Sequence, residues 1–118
     1  MPANEYVYMN VAPINYGDRK RIVYEYEESL AAPGNGKAVL IPDGVEWWTT
    51  TMSFTGGAEG KVQLSTDSVD TIKTGTVTWV DSWWGDADDT YIDFYFLVTA
   101  FRMVQTVAGT MKLTARAQ

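Results

Sequence analysis

Residues Thr110 to Ala117 read TMKLTARA, with Met111, Leu113, Ala115 and Ala117 at every second position and polar side chains at most of the positions between. A two-residue period sends successive side chains to opposite faces, so this segment is a half-buried strand and not a helix. The same period recurs along the chain. Arg21 to Glu27 (RIVYEYE) puts Ile22, Tyr24 and Tyr26 on one face, and Lys61 to Ser65 (KVQLS) points Val62 and Leu64 inward. Thr76 to Asp81 (TVTWVD) pairs Val77 with Trp79, and Val45 to Thr55 sets Trp48, Met52 and Phe54 together. Lys37 to Ile41 is a short strand, and Tyr91 to Met103 reads as a central one, bulged near Thr99-Ala100, with Ile92, Phe94, Phe96 and Val98 on one face.

Turn residues punctuate these runs: Ala31 to Gly36, Pro42-Asp43-Gly44, Gly56 to Gly60 and Val107-Ala108-Gly109. Thr66 to Gly75 reads as a loop anchored by Val69 and Ile72, Asp81 to Thr90 as a long polar connection, and Glu27 to Ala31 has room for one helical turn. The supply of residues agrees. Val, Ile, Thr and the three aromatics make up 47 of 118 residues, while Leu, Glu, Lys and Gln supply 19. That balance suits pleated, half-buried surfaces and argues against a helical bundle or an α/β enzyme fold. The expectation is an all-β, single-domain β-sandwich over residues 1–118, jelly-roll or immunoglobulin-like. It should have about eight or nine mostly antiparallel strands. Short, unequal strands favour a sandwich over a closed barrel. Residues 1–20 form an extended arm or edge strand, which pairs either with this domain's own sheet or with a neighbouring subunit.

The chain has no histidine and no cysteine. Imidazole bases, Ser-His-Asp and Cys-His nucleophiles, and zinc, iron–sulfur and most haem ligation lose their usual groups. No cofactor is expected, nor an enzyme. Paired carboxylates such as Glu25, Glu27 and Glu46 carry no mark of an acid/base pair, because nothing in the sequence gives one of them an apolar pocket. Fifteen acids against nine cations give a net charge of −6, which disfavours nucleic acid as a direct ligand. The opening MPANEYVYMN lacks a cationic stretch followed by an apolar run, and no segment is long and apolar enough to span a bilayer. The expectation is a soluble protein, and the lack of cysteine leans toward synthesis in a reducing compartment.

The surplus of exposed aromatics is where function is expected. Neighbours in a strand face opposite ways, so Trp48 is assigned to the core and Trp47 to the outside. Trp83 and Trp84 sit among Asp81, Ser82 and Gly85, in the polar connection. With Tyr6, Tyr8 and Val11 of the arm, Trp47, Trp83 and Trp84 are the candidate partner-binding residues. Indole serves a protein interface, a sugar platform or the plugging of the domain's own core. Asp86, Asp88 and Asp89 are candidate Ca²⁺ ligands, although the spacing is not that of an EF-hand and such clusters commonly just shape a turn.

The run KVQLSTDSVDTIKTGTVTWVDSWWGD, followed by VTAFRMVQTVAGTMKLTARAQ, resembles small virion proteins of tailed bacteriophages. The matching residues are Trp79, Trp84, Gly85, Val98 to Arg102 and Gly109 to Gln118, about half of the chain; the first forty residues carry none of it. The resemblance implies a β-sandwich in the virion that decorates or cements the capsid, bound to the major capsid protein or another virion protein. It also implies a homo-oligomer, with a trimer favoured. The alternative is a carbohydrate- or receptor-binding module, such as a tail or head-fibre component, using the same tryptophans.

Overall fold

The computed structural model describes residues 4–12, 22–86, 90–94 and 98–118, with the backbone alone at 83–86, 90 and 91. Eleven strands and one short helix run through them in the order β1 (Tyr6–Tyr8), β2 (Asn10–Val11), β3 (Tyr24–Leu30), β4 (Gly34–Asn35), β5 (Ala38–Leu40), β6 (Trp48–Thr55), β7 (Glu59–Ser65), α1 (Val69–Thr74), β8 (Val80–Asp86), β9 (Thr90–Phe94), β10 (Ala100–Val107) and β11 (Thr110–Ala117). The strands form two sheets packed face to face, as the alternation and the β-rich composition require. The number exceeds the expected eight or nine. Short arm and corner strands of two or three residues carry too few positions to show a period.

The sheets correspond strand for strand. The first has the order β1-β5-β10-β7-β8, with β4 also on β10; the second has β2-β3-β11-β6-β9. Leaving β4 aside, the strands at matching places are β1 with β2, β5 with β3, β10 with β11, β7 with β6 and β8 with β9, each pair close together in the chain. The molecule is one twisted sheet of five ribbons folded over on itself. This correspondence does not follow from a jelly-roll or immunoglobulin-like expectation, since immunoglobulin sheets have unequal strand orders.

The fold lies at the turns. Gly56 and Gly57, both at positive φ (68° and 83°), carry the β6–β7 ribbon across, and Gly109 at φ 136° carries β10–β11 beside it. The stretch Gly56 to Gly60 is thus an inter-sheet corner, because β6 and β7 belong to different sheets. Buried Gln105 holds this corner, its Nε2 donating to the carbonyls of Val107 (3.0 Å) and Gly109 (2.9 Å). At the opposite end the turn at Pro42-Asp43-Gly44 leads from β5 to β6, and the arm crosses beside it. β1 pairs in parallel with Ala38–Leu40 of the first sheet, while β2 pairs with Tyr24 and Glu25 of the second. Met9, between the two strands, is buried in the core. The described part of the arm thus adds strands to its own domain, one of the two pairings the sequence left open.

Three local expectations are corrected. Tyr91 to Met103 is not one central strand: β9 lies at the edge of the second sheet and β10 at the centre of the first. Glu27 to Ala31 is not helical, because β3 runs to Leu30. Thr66 to Gly75 is not simply a loop, because α1 occupies Val69–Thr74, with Ser68 Oγ accepting the Thr71 N–H at 3.2 Å and Asp70 in the first turn. Its buried Ile72 packs on Ala38, Leu40 and Ala100, on the outer face of the first sheet. Between those positions Val39 and Phe101 point the other way, into the inter-sheet core. β5 is therefore covered on both faces, which explains why it shows no polar alternation.

Candidate functional site

The outer face of the first sheet carries an aromatic pair with a cation and, beside it, a cleft. Val7 packs against the core, so Tyr6 and Tyr8 project outward from β1. Their rings meet edge to face at 6.0 Å, and Lys73 of α1 places its ammonium 5.3 Å from both centroids. The Tyr8 hydroxyl holds Lys73 above the ordinary lysine range, with Tyr6 and Asp70 adding smaller contributions. Asn4 fixes the helix to the arm. Its side-chain amide donates to the carbonyls of Ile72 (3.0 Å) and Gly75 (2.8 Å), and its backbone N–H to that of Lys73 (2.8 Å). These are helix-terminal acceptors that would otherwise need water. The aromatic pair and its cation are thus held in position by bonds within the chain.

Beside this cluster lies a cleft of about 510 Å³, with Asn4, Glu5, Asn35, Gly36, Trp79 and Arg102 among the residues around it. The Arg102 guanidinium stacks on the Trp79 ring at 4.5 Å, and its Nε donates to Gln63 Oε1 at 2.8 Å. Gln63 Nε2 in turn donates to Asp81 Oδ1 at 2.7 Å, and Lys61 Nζ reaches Asp81 Oδ2 at 2.7 Å. This row crosses β10, β7 and β8. Burial pushes Arg102 below the usual arginine range. The hydrogen bonds from Gln63 and Lys61 hold Asp81 below the ordinary carboxylate range.

A depressed folded-state pKa means that Asp81 contributes stability above its unfolded value and loses it as pH falls through the lower, folded one. The Asp81→Asn variant should therefore have a lower urea midpoint than the native protein at neutral pH. The gap should be small, since Asp81 is exposed, and should close below about pH 4. A gap that persists in acid would contradict the assignment.

The expected binding residues do not all converge. Tyr6 and Tyr8 come together. Val11, 63% exposed, lies on β2 in the second sheet. Trp47 is 37% exposed, at the end opposite the Gly109 corner, where its backbone pairs with Gln118, while Trp48 is in the core as expected. Trp83 and Trp84 belong to β8, an edge strand, and not to a polar connection; their side chains lie outside the described residues. Asp86 ends that strand, and Asp88 and Asp89 also fall outside the description. Among the described residues no group of three acidic side chains is placed to hold a metal ion, and no helix is long and apolar enough to cross a membrane. Glu27, one of the weighed carboxylates, pairs with Lys112 at 3.2 Å on the surface. Sequence reasoning missed Lys73, Arg102 and Asn4 as site residues. The signal available for Arg102 was its isolation, since no cation precedes it back to Lys73.

No family model matches the chain, and no curated protein matches it by sequence. Solved structures share its shape. The crystal structure of YomS, a protein derived from the SPBc2 prophage, matches with a TM-score of 0.56 at 13% identity, over 82% of this chain and 95% of that one. PliG of Aeromonas hydrophila, a periplasmic inhibitor of g-type lysozyme, gives a looser likeness. Its TM-score is 0.45 at 9% identity, over 98% of this chain and 100% of that one. The folded two-sheet architecture is therefore one that a prophage-derived protein also adopts.

Proposed function

We propose that this chain is a non-enzymatic structural protein of a phage particle, a decoration or cement protein that binds the capsid exterior through the outer face of its first sheet. The observation that carries the reading is the Tyr6–Tyr8–Lys73 cluster. Two half-exposed aromatic rings, held on a strand that is bonded to its own domain, expose apolar area at little entropic cost on binding. Tyrosine is among the residues that most often dominate protein interfaces. The fold likeness to a prophage protein and the resemblance of the C-terminal half to virion proteins supply the setting. A net charge of −6 favours solubility before assembly. Weak single contacts multiply on a repeating lattice, and a trimer of this chain would multiply them again. The carbohydrate alternative needs an open indole face. That of Trp79 has Arg102 stacked against it, which weakens that alternative in the cleft.

The test is co-sedimentation of the purified protein with particles that lack it. Tyr6→Ala with Tyr8→Ala should weaken binding by roughly tenfold to a hundredfold, the range for losing two interface aromatics, without lowering the thermal midpoint by more than a few degrees. Val11→Ala, on the other sheet, should bind as the native protein does. Equal binding by the double variant, or no binding by the native protein, would overturn the reading.

A further inference from the structure

We infer that the cleft lined by Trp79 and Arg102 is a carboxylate-binding site, shaped to take an aspartate or glutamate side chain presented by a partner polypeptide. The inference goes beyond the aromatic cluster and rests on the adhesive reading only for the chain that presents the carboxylate. At about 510 Å³ the cleft is in the range of ligand sites. Arg102 is a half-buried cation with no ion-pair partner among the described residues. The nearby Asp81 is occupied by Lys61 and Gln63. Glu5 lines the cleft and makes no salt bridge to Arg102.

The Trp79 ring lies against the guanidinium, 4.5 Å from its central carbon, and the Nε–H is taken by Gln63. The two terminal amino groups remain, and a guanidinium donates in its own plane. That geometry suits the paired oxygens of a carboxylate. A partly dehydrated, unpaired cation strengthens such a contact. A pyranose ring would need the indole face that Arg102 covers, and a phosphate would need a second cation. The nearest candidate, Lys73, is engaged by Tyr6 and Tyr8. Asn35 on the wall offers a further amide donor. The cleft also adjoins the aromatic cluster through Asn4 and Glu5, so one partner segment can occupy both.

The experiment is a ¹H–¹⁵N titration that follows the Arg102 Nε–H and Trp79 indole N–H signals. The probes are N-acetylglutamate methylamide, its uncharged glutamine isostere, glucuronate and inorganic phosphate. The glutamate compound should move both signals saturably, with half-saturation in the millimolar range expected of one desolvated ion pair, while the isostere should leave them in place. In Arg102→Gln the response of the Trp79 signal should vanish. Asn35→Asp, which leaves Arg102 untouched and adds a competing carboxylate to the wall, should weaken the response at least a few-fold, and it covers the case in which Arg102→Gln fails to fold. An equal response to the isostere, a response retained in Arg102→Gln, or unchanged binding in Asn35→Asp would each overturn the site. Tighter binding of phosphate or glucuronate would overturn its assignment to a polypeptide side chain. The titration needs no particle, so its failure and that of particle binding are separate results.

Discussion

Trp48→Ala should lower the unfolding free energy by about 4 kcal/mol, within the usual 3–5 for emptying a buried aromatic site. Trp48 is 2% exposed and stacks on Phe94 at 3.9 Å and on Phe101 at 4.7 Å. Phe94 lies on the neighbouring strand of its own sheet, but Phe101 comes from the opposite sheet. One indole therefore joins the two halves of the folded sheet at the end opposite the Gly109 corner. Its loss removes ring contacts and leaves a cavity that rigid neighbouring strands can only partly fill. The thermal midpoint should fall by roughly 15 °C, as read by circular dichroism. Trp47→Ala, one position away on the exposed side, should cost far less. Comparable losses for the two would contradict the assignment of faces.

Gly109→Val should cost about 3 kcal/mol or more, through two separate effects. At φ 136° a residue with a Cβ is strained, and the added carbon would lie 2.5 Å from the Thr55 carbonyl oxygen, 2.7 Å from the Ala58 nitrogen and 2.8 Å from the Ala58 Cβ. Two of those atoms are backbone of the neighbouring corner, so relief requires moving the β6–β7 ribbon itself. Gly57→Ala separates the effects. Gly57 also has positive φ, at 83°, but a Cβ there would meet nothing within 4 Å, so that variant should lose only about 1 kcal/mol. Urea midpoints for both variants measure the difference. Equal losses would mean that the close approach of the two ribbons is not what holds the corner.

The core was legible where strands are long and one face is wet. β11 follows its alternation from Met111 to Ala117, and Trp48, Met52 and Phe54 share a face of β6 as read. Legibility failed where a second layer covers a strand. Ala38, Val39 and Leu40 are all buried because α1 packs outside them, and three apolar residues in a row show no period. The helix itself is six residues rich in threonine, a composition that reads as loop and is helical here because Ser68, Asn4 and buried Ile72 satisfy and anchor it. The polar stretch after Val80 conceals β8 because edge strands carry polar side chains.

The site was half legible. Tyr6 and Tyr8 stand out because they alternate on a segment too apolar for a free tail. Lys73 lies more than sixty positions away, and Trp79 and Arg102 are separated by the whole of β8 and β9. Only the strand order, with β5 between β1 and β10, places the two groups next to each other. The one-to-one correspondence of the sheets was out of reach for the same reason, since alternation records faces and not neighbours.

The central claim, that this chain serves on the outside of a phage particle, is tested most directly by weighing it there. Phage particles released by a culture whose genome carries the gene for this chain should be banded on a density gradient, and their proteins quantified by mass spectrometry against the major capsid protein. The account predicts that the chain co-bands with intact particles at a fixed ratio to the capsid subunit, in many copies, and is released before the capsid comes apart. Its absence from the band, or presence at only trace amounts, would contradict a decoration or cement role.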